Sequence, residues 1–201
     1  MIRILAVGDI MGKAGRRCLD QLLDKAREKW NPNIIVVNGE NAAGGFGLTK
    51  KIYDQFTGKF AIDAITMGNH WHDKREIYEY FQNTDRLVLP ANMSNVDRVE
   101  DGLRVITAQD GTRFAVINLI GKAFMKGEND CPFRTADQLL SQIPKSVKIR
   151  ILDLHAETSS EKQGLANYLE GRVSLIYGTH THVPTADERI IGGKTGFITD
   201  L

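Results

Sequence analysis

The chain has 201 residues, 42% of them hydrophobic, enough to bury one substantial core and read as a single domain over 1–201. Its 26 basic and 25 acidic residues leave a formal net charge of +1 and are scattered without long like-charge blocks, which excludes a broad basic face for duplex nucleic acid or anionic lipid but admits a small phosphorylated ligand. Cys18 and Cys131 are too far apart to suggest a zinc spacing or a disulfide framework, and Cys18 suits helix packing. The first apolar run, Ile2 to Val7, is the first expected strand; it meets Asp9 too soon to be a signal peptide or a membrane span, so a cytoplasmic protein without a membrane partner is expected. Gly15 to Lys29 carries Leu19, Leu22, Leu23 and Ala26 at helical spacing and is expected to stop at Pro32. Ile34 to Val37 is a second strand. After the glycine-rich loop Asn41 to Gly47, Thr49 is placed to cap a helix bearing Ile52, Tyr53, Phe56 and Phe60. Ile62 to Met67 is a third strand, Lys74 to Phe81 a short helix, and Leu87 to Leu89 a short strand ending at Pro90.

Beyond that point Leu103 to Ala108 and Thr112 to Leu119 read as strands joined through Asp110-Gly111, a strong hairpin signal. Ile120 to Arg134 is too irregular for a regular element and reads equally as a functional flap or a plain surface connection. Val147 to Leu154 and Val173 to Tyr177 resume the buried-strand pattern, with a helix through Leu165, Ala166 and Leu169 between them. Ile190-Ile191 and Lys194 to Ile198 flank Gly192-Gly193 as a last hairpin. This alternation predicts a layered α/β fold with mixed parallel and antiparallel sheets sandwiched by helices.

The chemistry-bearing residues follow the strands. Asp9, Glu40-Asn41, Asn69-His70, His155 and the pair His180 and His182 each stand just past an apolar run, where an open α/β sheet keeps its ligands. Imidazole nitrogen with carboxylate and amide oxygen, and no thiolate, suits divalent transition metals acting on phosphate esters. Asp9, Glu40, Asn41, Asn69, His155, His180 and His182 are enough for two ions, which need one bridging carboxylate, and Glu40 is the best bridge.

The order Gly8-Asp9, Gly39-Glu40, Gly68-Asn69-His70, a lone His155 and His180-Thr181-His182 resembles the calcineurin-like metallophosphoesterase superfamily. Three departures narrow the resemblance: Met11 stands where histidine is usual, Glu40 replaces the bridging Asp, and Thr179 separates Gly178 from His180. The set GDIMG, NGEN, MGNHWHD and GTHTHV is similar to that of the YmdB-like bacterial phosphodiesterases, from Ile4 to the last residue. The resemblance implies a metallophosphoesterase-type fold with its metal site at the C-terminal ends of the strands. It implies one ion on Asp9, Glu40, Asn41 and His182, with Asn41 compensating for the missing histidine, and a second on Glu40, Asn69, His155 and His180. Iron or manganese is expected, and zinc also fits such donors. It further implies a metal-dependent phosphodiesterase acting on small cyclic nucleotides, 2′,3′-cyclic nucleotides first. A metal-bridging hydroxide would attack phosphorus and His70, able to hold and release a proton near neutrality, would protonate the leaving oxygen. The family tends toward homotypic contacts, which leaves the oligomeric state open with a homo-oligomer as one option, and its members continue past Leu201, so that if residues are missing here a terminal strand and part of the pocket rim are absent with them.

Each residue also has a plainer reading. His155 alone could be a satisfied polar residue, His180 and His182 a turn bonding its own backbone, and Asp9 or Glu40 a helix cap, although Asp9 lies too far ahead of Gly15 to cap that helix. Asp73 reads as the cap of the helix from Lys74 and His72 as a solvent-facing side chain, so neither is counted as a ligand. Lys13, Arg16 and Arg17 suit either a phosphate at a helix N-terminus or a solvated helix face, and Asn92 either the pocket or a turn. Phosphomonoester hydrolysis and a metal-bearing regulatory scaffold are the competing functions. A metal-free nucleotide-binding domain is disfavoured because no GxGxxG or GxxxxGK follows any strand.

Overall fold

In the computed structural model, which describes residues 1–201, two sheets pack face to face and helices cover both outer faces. The first sheet, in the order β1 (Ile4–Asp9), β2 (Ile34–Asn38), β3 (Ala64–Thr66) and β4 (Leu87–Val88), is wholly parallel. The second runs β5 (Leu103–Thr107), β6 (Arg113–Ile120), β7 (Ile149–His155), β8 (Leu175–Thr179), β10 (Thr195–Ile198) and β9 (Arg189–Ile191). Its centre, β6 to β7 to β8 to β10, is parallel, and the hairpins β5–β6 and β9–β10 supply antiparallel edges. Parallel strands need crossovers, and these carry α1 (Gly12–Trp30), α2 (Lys50–Asp54), α3 (Ile77–Tyr80), α4 (Pro132–Gln142) and α5 (Ser159–Tyr168).

The near-continuous apolar runs follow from burial on both faces. In β2, Ile34 and Val36 point at the second sheet, joining Phe114, Val116, Ile151 and Tyr177 in the layer between the sheets. Ile35 and Val37 point the other way, toward Leu19 and Leu23 of α1 and Phe56. Beyond the second sheet, Ile117, Leu152 and Ile176 pack on Ala136 and Leu139 of α4 and Leu165 of α5. No helix is long and apolar enough to cross a membrane.

Several elements differ from the expectations. α1 begins at Gly12, three residues early, behind an extended Met11, and ends when Asn31 turns left-handed at φ +43 and its N–H bonds Arg27 O, before Pro32 is reached. Thr49 caps α2 as expected, accepting from the Ile52 N–H, but the helix gives way to a π turn over Gln55–Lys59 where the Thr57 hydroxyl bonds the Tyr53 carbonyl. The Lys74–Phe81 helix shrinks to Ile77–Tyr80 because Asp73 binds His70 and caps nothing. α4 is absent from the sequence reading; it starts on Pro132, which suits the first helical turn. Asn92 stands in a turn, closed by the Met93 N–H on Pro90 O, and not in the cleft wall. It is buried and bonds the Ile120 and Asp130 carbonyls and the Ile120 N–H, tying down both ends of the irregular segment after β6.

Candidate metal centre

Parallel strands bring their C-terminal ends to one edge, so the loops after β1, β2, β3, β7 and β8 converge. At β1 the register slips between Val7 and Asp9, a bulge that turns the Asp9 carboxylate inward. Gly8 has no room for a side chain, since a Cβ there would lie 2.6 Å from Leu201 O. After β8, His180 and His182 both adopt positive φ, +102 and +58. Non-glycine residues hold such angles at a cost of about 1–3 kcal/mol each, which marks a turn kept for what it presents.

The donor atoms gather as two overlapping triads. Glu40, His155 and His180 offer atoms within 4.8 Å of one another, and so do Asp9, Glu40 and His182. Glu40 belongs to both. Its Oε1 lies 3.2 Å from His155 Nε2, and its Oε2 accepts from the His70 N–H at 3.1 Å. Asn41 Oδ1 is 3.2 Å from His182 Nε2, while its amide nitrogen is held by Gly45 O, so the glycine loop aims the amide. Asn69 Oδ1 is 3.0 Å from His155 Nε2, and His180 Nδ1 is 3.1 Å from the same atom. All seven sequence-selected ligand candidates therefore meet at one edge. Asp9 caps no helix; its Oδ2 accepts from the His180 N–H at 2.9 Å.

The electrostatics ask for positive charge. Burial alone would raise the Glu40 carboxyl, but the facing His155 and the His70 N–H hold it down at about 2. Burial likewise opposes charge on His155, yet Glu40, Asp9 and Asp153 raise it to about 9, so a proton is held where carboxylates crowd. Burial and the charge of His155 lower His180. Asp9 Oδ1 is buried without any hydrogen-bond partner, an arrangement that costs free energy unless a cation serves it. Oxygen and imidazole donors, a shared carboxylate and an orphaned carboxylate oxygen together fit a pair of divalent cations.

His70 stands beside this cluster. Its Nδ1 is 2.8 Å from Asp73 Oδ2, and the Phe46 ring packs edge-on against it at 4.9 Å. With Nδ1 so bound, Nε2 is the ring nitrogen left for other chemistry. His72 packs on Trp71 and joins neither donor triad. A polar cleft of about 410 Å³ adjoins, with Asn69 and His70 on one side and Ser94, Asn95, Lys126 and Gly127 on others. The irregular segment after β6 thus supplies a wall of the cleft, pinned where Glu161 accepts from the Lys122 and Ala123 N–H groups. Arg16 bonds Ala42 O and so braces the Asn41 loop.

Sequence reading missed the layer beneath the ligands. Asn38, Thr66, Asn118, Asp153 and Thr179 are all buried. Asp153 accepts from Thr179 Oγ1 at 2.7 Å and from Thr66 Oγ1 and Asn38 Nδ2, and burial raises its carboxyl to about 6 against those bonds. Glu157, also unremarked, lies 3.1 Å from His180 Nε2 and so faces the ring edge away from the triad. The signal was available in part: a charged residue midway along ILDLH, or an Asn ending IIVVN, is out of place in a buried strand unless a polar network receives it.

The model of the YmdB-like protein family matches residues 5–201. The chain belongs to the YmdB-like family. A Bacillus subtilis (strain 168) relative named 2′,3′-cyclic-nucleotide 2′-phosphodiesterase is 43% identical over 200 residues, covering 100% of this chain and 74% of the relative. Among solved structures, a hypothetical protein from Thermus thermophilus superposes with a TM-score of 0.88 at 33% identity, covering 99% of this chain and 75% of that one. A Mycoplasma pneumoniae protein described as a novel phosphatase follows at 0.87 and 33%, covering 99% and 71%. As a YmdB-like protein the chain has the metallophosphoesterase-type fold that its motifs implied, two sheets sandwiched by helices.

Proposed function

We propose that this chain is a metal-dependent phosphodiesterase acting on small cyclic nucleotides, with 2′,3′-cyclic nucleotides the first class to test. The observation that carries the reading is the sharing of Glu40 by two donor triads beside an Asp73-anchored His70. The name of the B. subtilis relative supports the substrate class, and membership of the family supports a phosphoric ester hydrolase. In this reading Asp9, Glu40, Asn41 and His182 hold one ion, and Glu40, Asn69, His155 and His180 the other. Bound there, two ions would supply Lewis acidity toward phosphoryl oxygens and lower the pKa of water. The chain's own residues do the rest. Asn69 and His70 form one side of the cleft that admits the ester. Asp73 keeps the His70 ring oriented through Nδ1, so that Nε2 can give a proton to the leaving ribose oxygen. Lys126 and Asn95 line the same cleft, where they can meet phosphate charge and nucleoside edges.

The test is hydrolysis of 2′,3′-cyclic AMP with added manganese or iron, by wild type and His70→Ala, with metal content read by mass spectrometry. Expected are about two ions per chain in both proteins and a kcat lowered about 10²–10⁴-fold in the variant. Wild type without metal-dependent turnover would overturn the reading. Faster release of phosphate from AMP than ring opening would favour phosphomonoesters instead, the chemistry that the description of the M. pneumoniae structure suggests for that protein.

A further inference from the structure

Thr179 ends β8, fully buried, one residue before His180, and is the residue that interrupts the usual Gly-His pairing. Its hydroxyl stands between two other buried groups. Thr179 Oγ1 is 2.7 Å from Asp153 Oδ1 on one side and 2.9 Å from His155 Nδ1 on the other. An ionised carboxylate only accepts, and a hydroxyl has a single proton to give. With that proton committed to Asp153, Thr179 Oγ1 can only accept from the ring, so His155 carries its hydrogen on Nδ1. The lone pair of the neutral ring is then on Nε2, the atom that faces Glu40 Oε1 at 3.2 Å and Asn69 Oδ1 at 3.0 Å.

We propose that Thr179 is a positioning residue that fixes the tautomer and orientation of His155 by linking its Nδ1–H to the Asp153 carboxylate. With the Nδ1–H held by this link, the proton that a metal ion would displace is the one on Nε2. A direct carboxylate partner would do the same in a site with less space, since ligating imidazoles commonly give their second N–H to a carboxylate or carbonyl. Here β7 holds both Asp153 and His155 on the same face, two residues apart, and the hydroxyl from the neighbouring strand spans them. Asn38 and Thr66, from the first sheet, fix the far oxygen of Asp153, so the carboxylate cannot swing away. The inference rests on the reading of His155 as a metal ligand.

Thr179→Val and Thr179→Ser separate this role from packing, because Val keeps the shape and loses the hydroxyl whereas Ser keeps the hydroxyl and loses the methyl. Metal-free full chains are titrated with Mn²⁺ by electron paramagnetic resonance, and zinc-loaded proteins labelled with ¹⁵N-histidine report which ring nitrogen of His155 bears hydrogen. Thr179→Val is expected to weaken one of the two ions about 10–100-fold and to lose the single Nδ1–H signature, while Thr179→Ser keeps both properties of wild type. Thr179→Val binding like wild type, or Thr179→Ser falling as far as Thr179→Val, would overturn the relay alone. Wild type that takes up no Mn²⁺ would overturn the ligand assignment itself, and the relay with it.

Discussion

Glu40 and His155 show how much of a side chain's behaviour lies outside its identity. Both stand out in the sequence by their place after a strand, but their titration depends on each other. In the metal-free protein Glu40 is lowered from 4.5 to about 2, so its share of stability is present above 4.5 and lost as pH falls through 2. His155 is raised from 6.5 to about 9, so its share is full below 6.5 and lost as pH rises through 9. The advantage in Tm of metal-free wild type over His155→Gln should therefore be greatest between pH 4.5 and 6.5 and fade toward 9. Asp153, raised to about 6, stabilises only while protonated and adds a separate loss as pH climbs from 3.8 through 6. A constant wild-type advantage from pH 6 to about 9 would show that the pair is not coupled in this way. On the proposed assignment of His155 as a metal ligand, an ion would displace its proton, so apparent metal affinity is expected to rise with pH, with proton release near neutrality in a pH-stat titration.

Strand ends were the most legible elements, for a physical reason: a strand buried on both faces writes a continuous apolar run, and its end is where polarity returns. The turn geometry past those ends was not legible. Nothing in GTHTHV says that His180 and His182 take left-handed angles, or that a bulge at β1 turns Asp9 inward. Short helices depart from the sequence pattern where a side chain has another use, as with Asp73, which serves His70. Gly68 shows how tightly the β3 loop is fitted. A Cβ there would sit 2.3 Å from Glu40 Oε2 and 2.4 Å from His155 Nε2. Gly68→Ala is thus expected to abolish metal binding and hydrolysis together. Gly58→Ala, with nothing within 4 Å and no positive φ, should leave both intact and raise stability by about 0.4–1 kcal/mol in chemical denaturation. Metal uptake by Gly68→Ala equal to that of wild type would contradict this fit.

Across the molecule, the two sheets meet in an apolar layer that turns polar only near the site. Asn118 accepts from the Met67 N–H and donates to Asp153 O, so one side chain bonds the backbones of both sheets. A second tether lies behind β8, where Lys162 of α5, fully buried, pairs with Asp200 at 2.5 Å. Burial raises the Asp200 carboxyl and Lys162 opposes that rise. Asp200 in turn bonds Thr185 through its backbone, and Leu201 bonds Gly178 O, which clips down the segment carrying His180 and His182. Lys162→Met leaves a buried carboxylate unpaired and should cost about 3–5 kcal/mol in urea denaturation, whereas Lys162→Met with Asp200→Leu should recover most of the loss. Equal destabilisation in the single and double variants would place the cost in packing instead of charge.

Local order in the chain was enough to determine the layered α/β class and the strand sequence and to pick out seven candidate donors, because each rests on periodicity or on a residue type at the close of an apolar run. Only the tertiary structure decided how closely the other candidate donors approach Glu40, which ring nitrogen each imidazole turns toward the others, and which buried groups hold them. Those are distances between residues as far apart as Asp9 and His180, set by sheet order and register, and no local pattern in the chain encodes them.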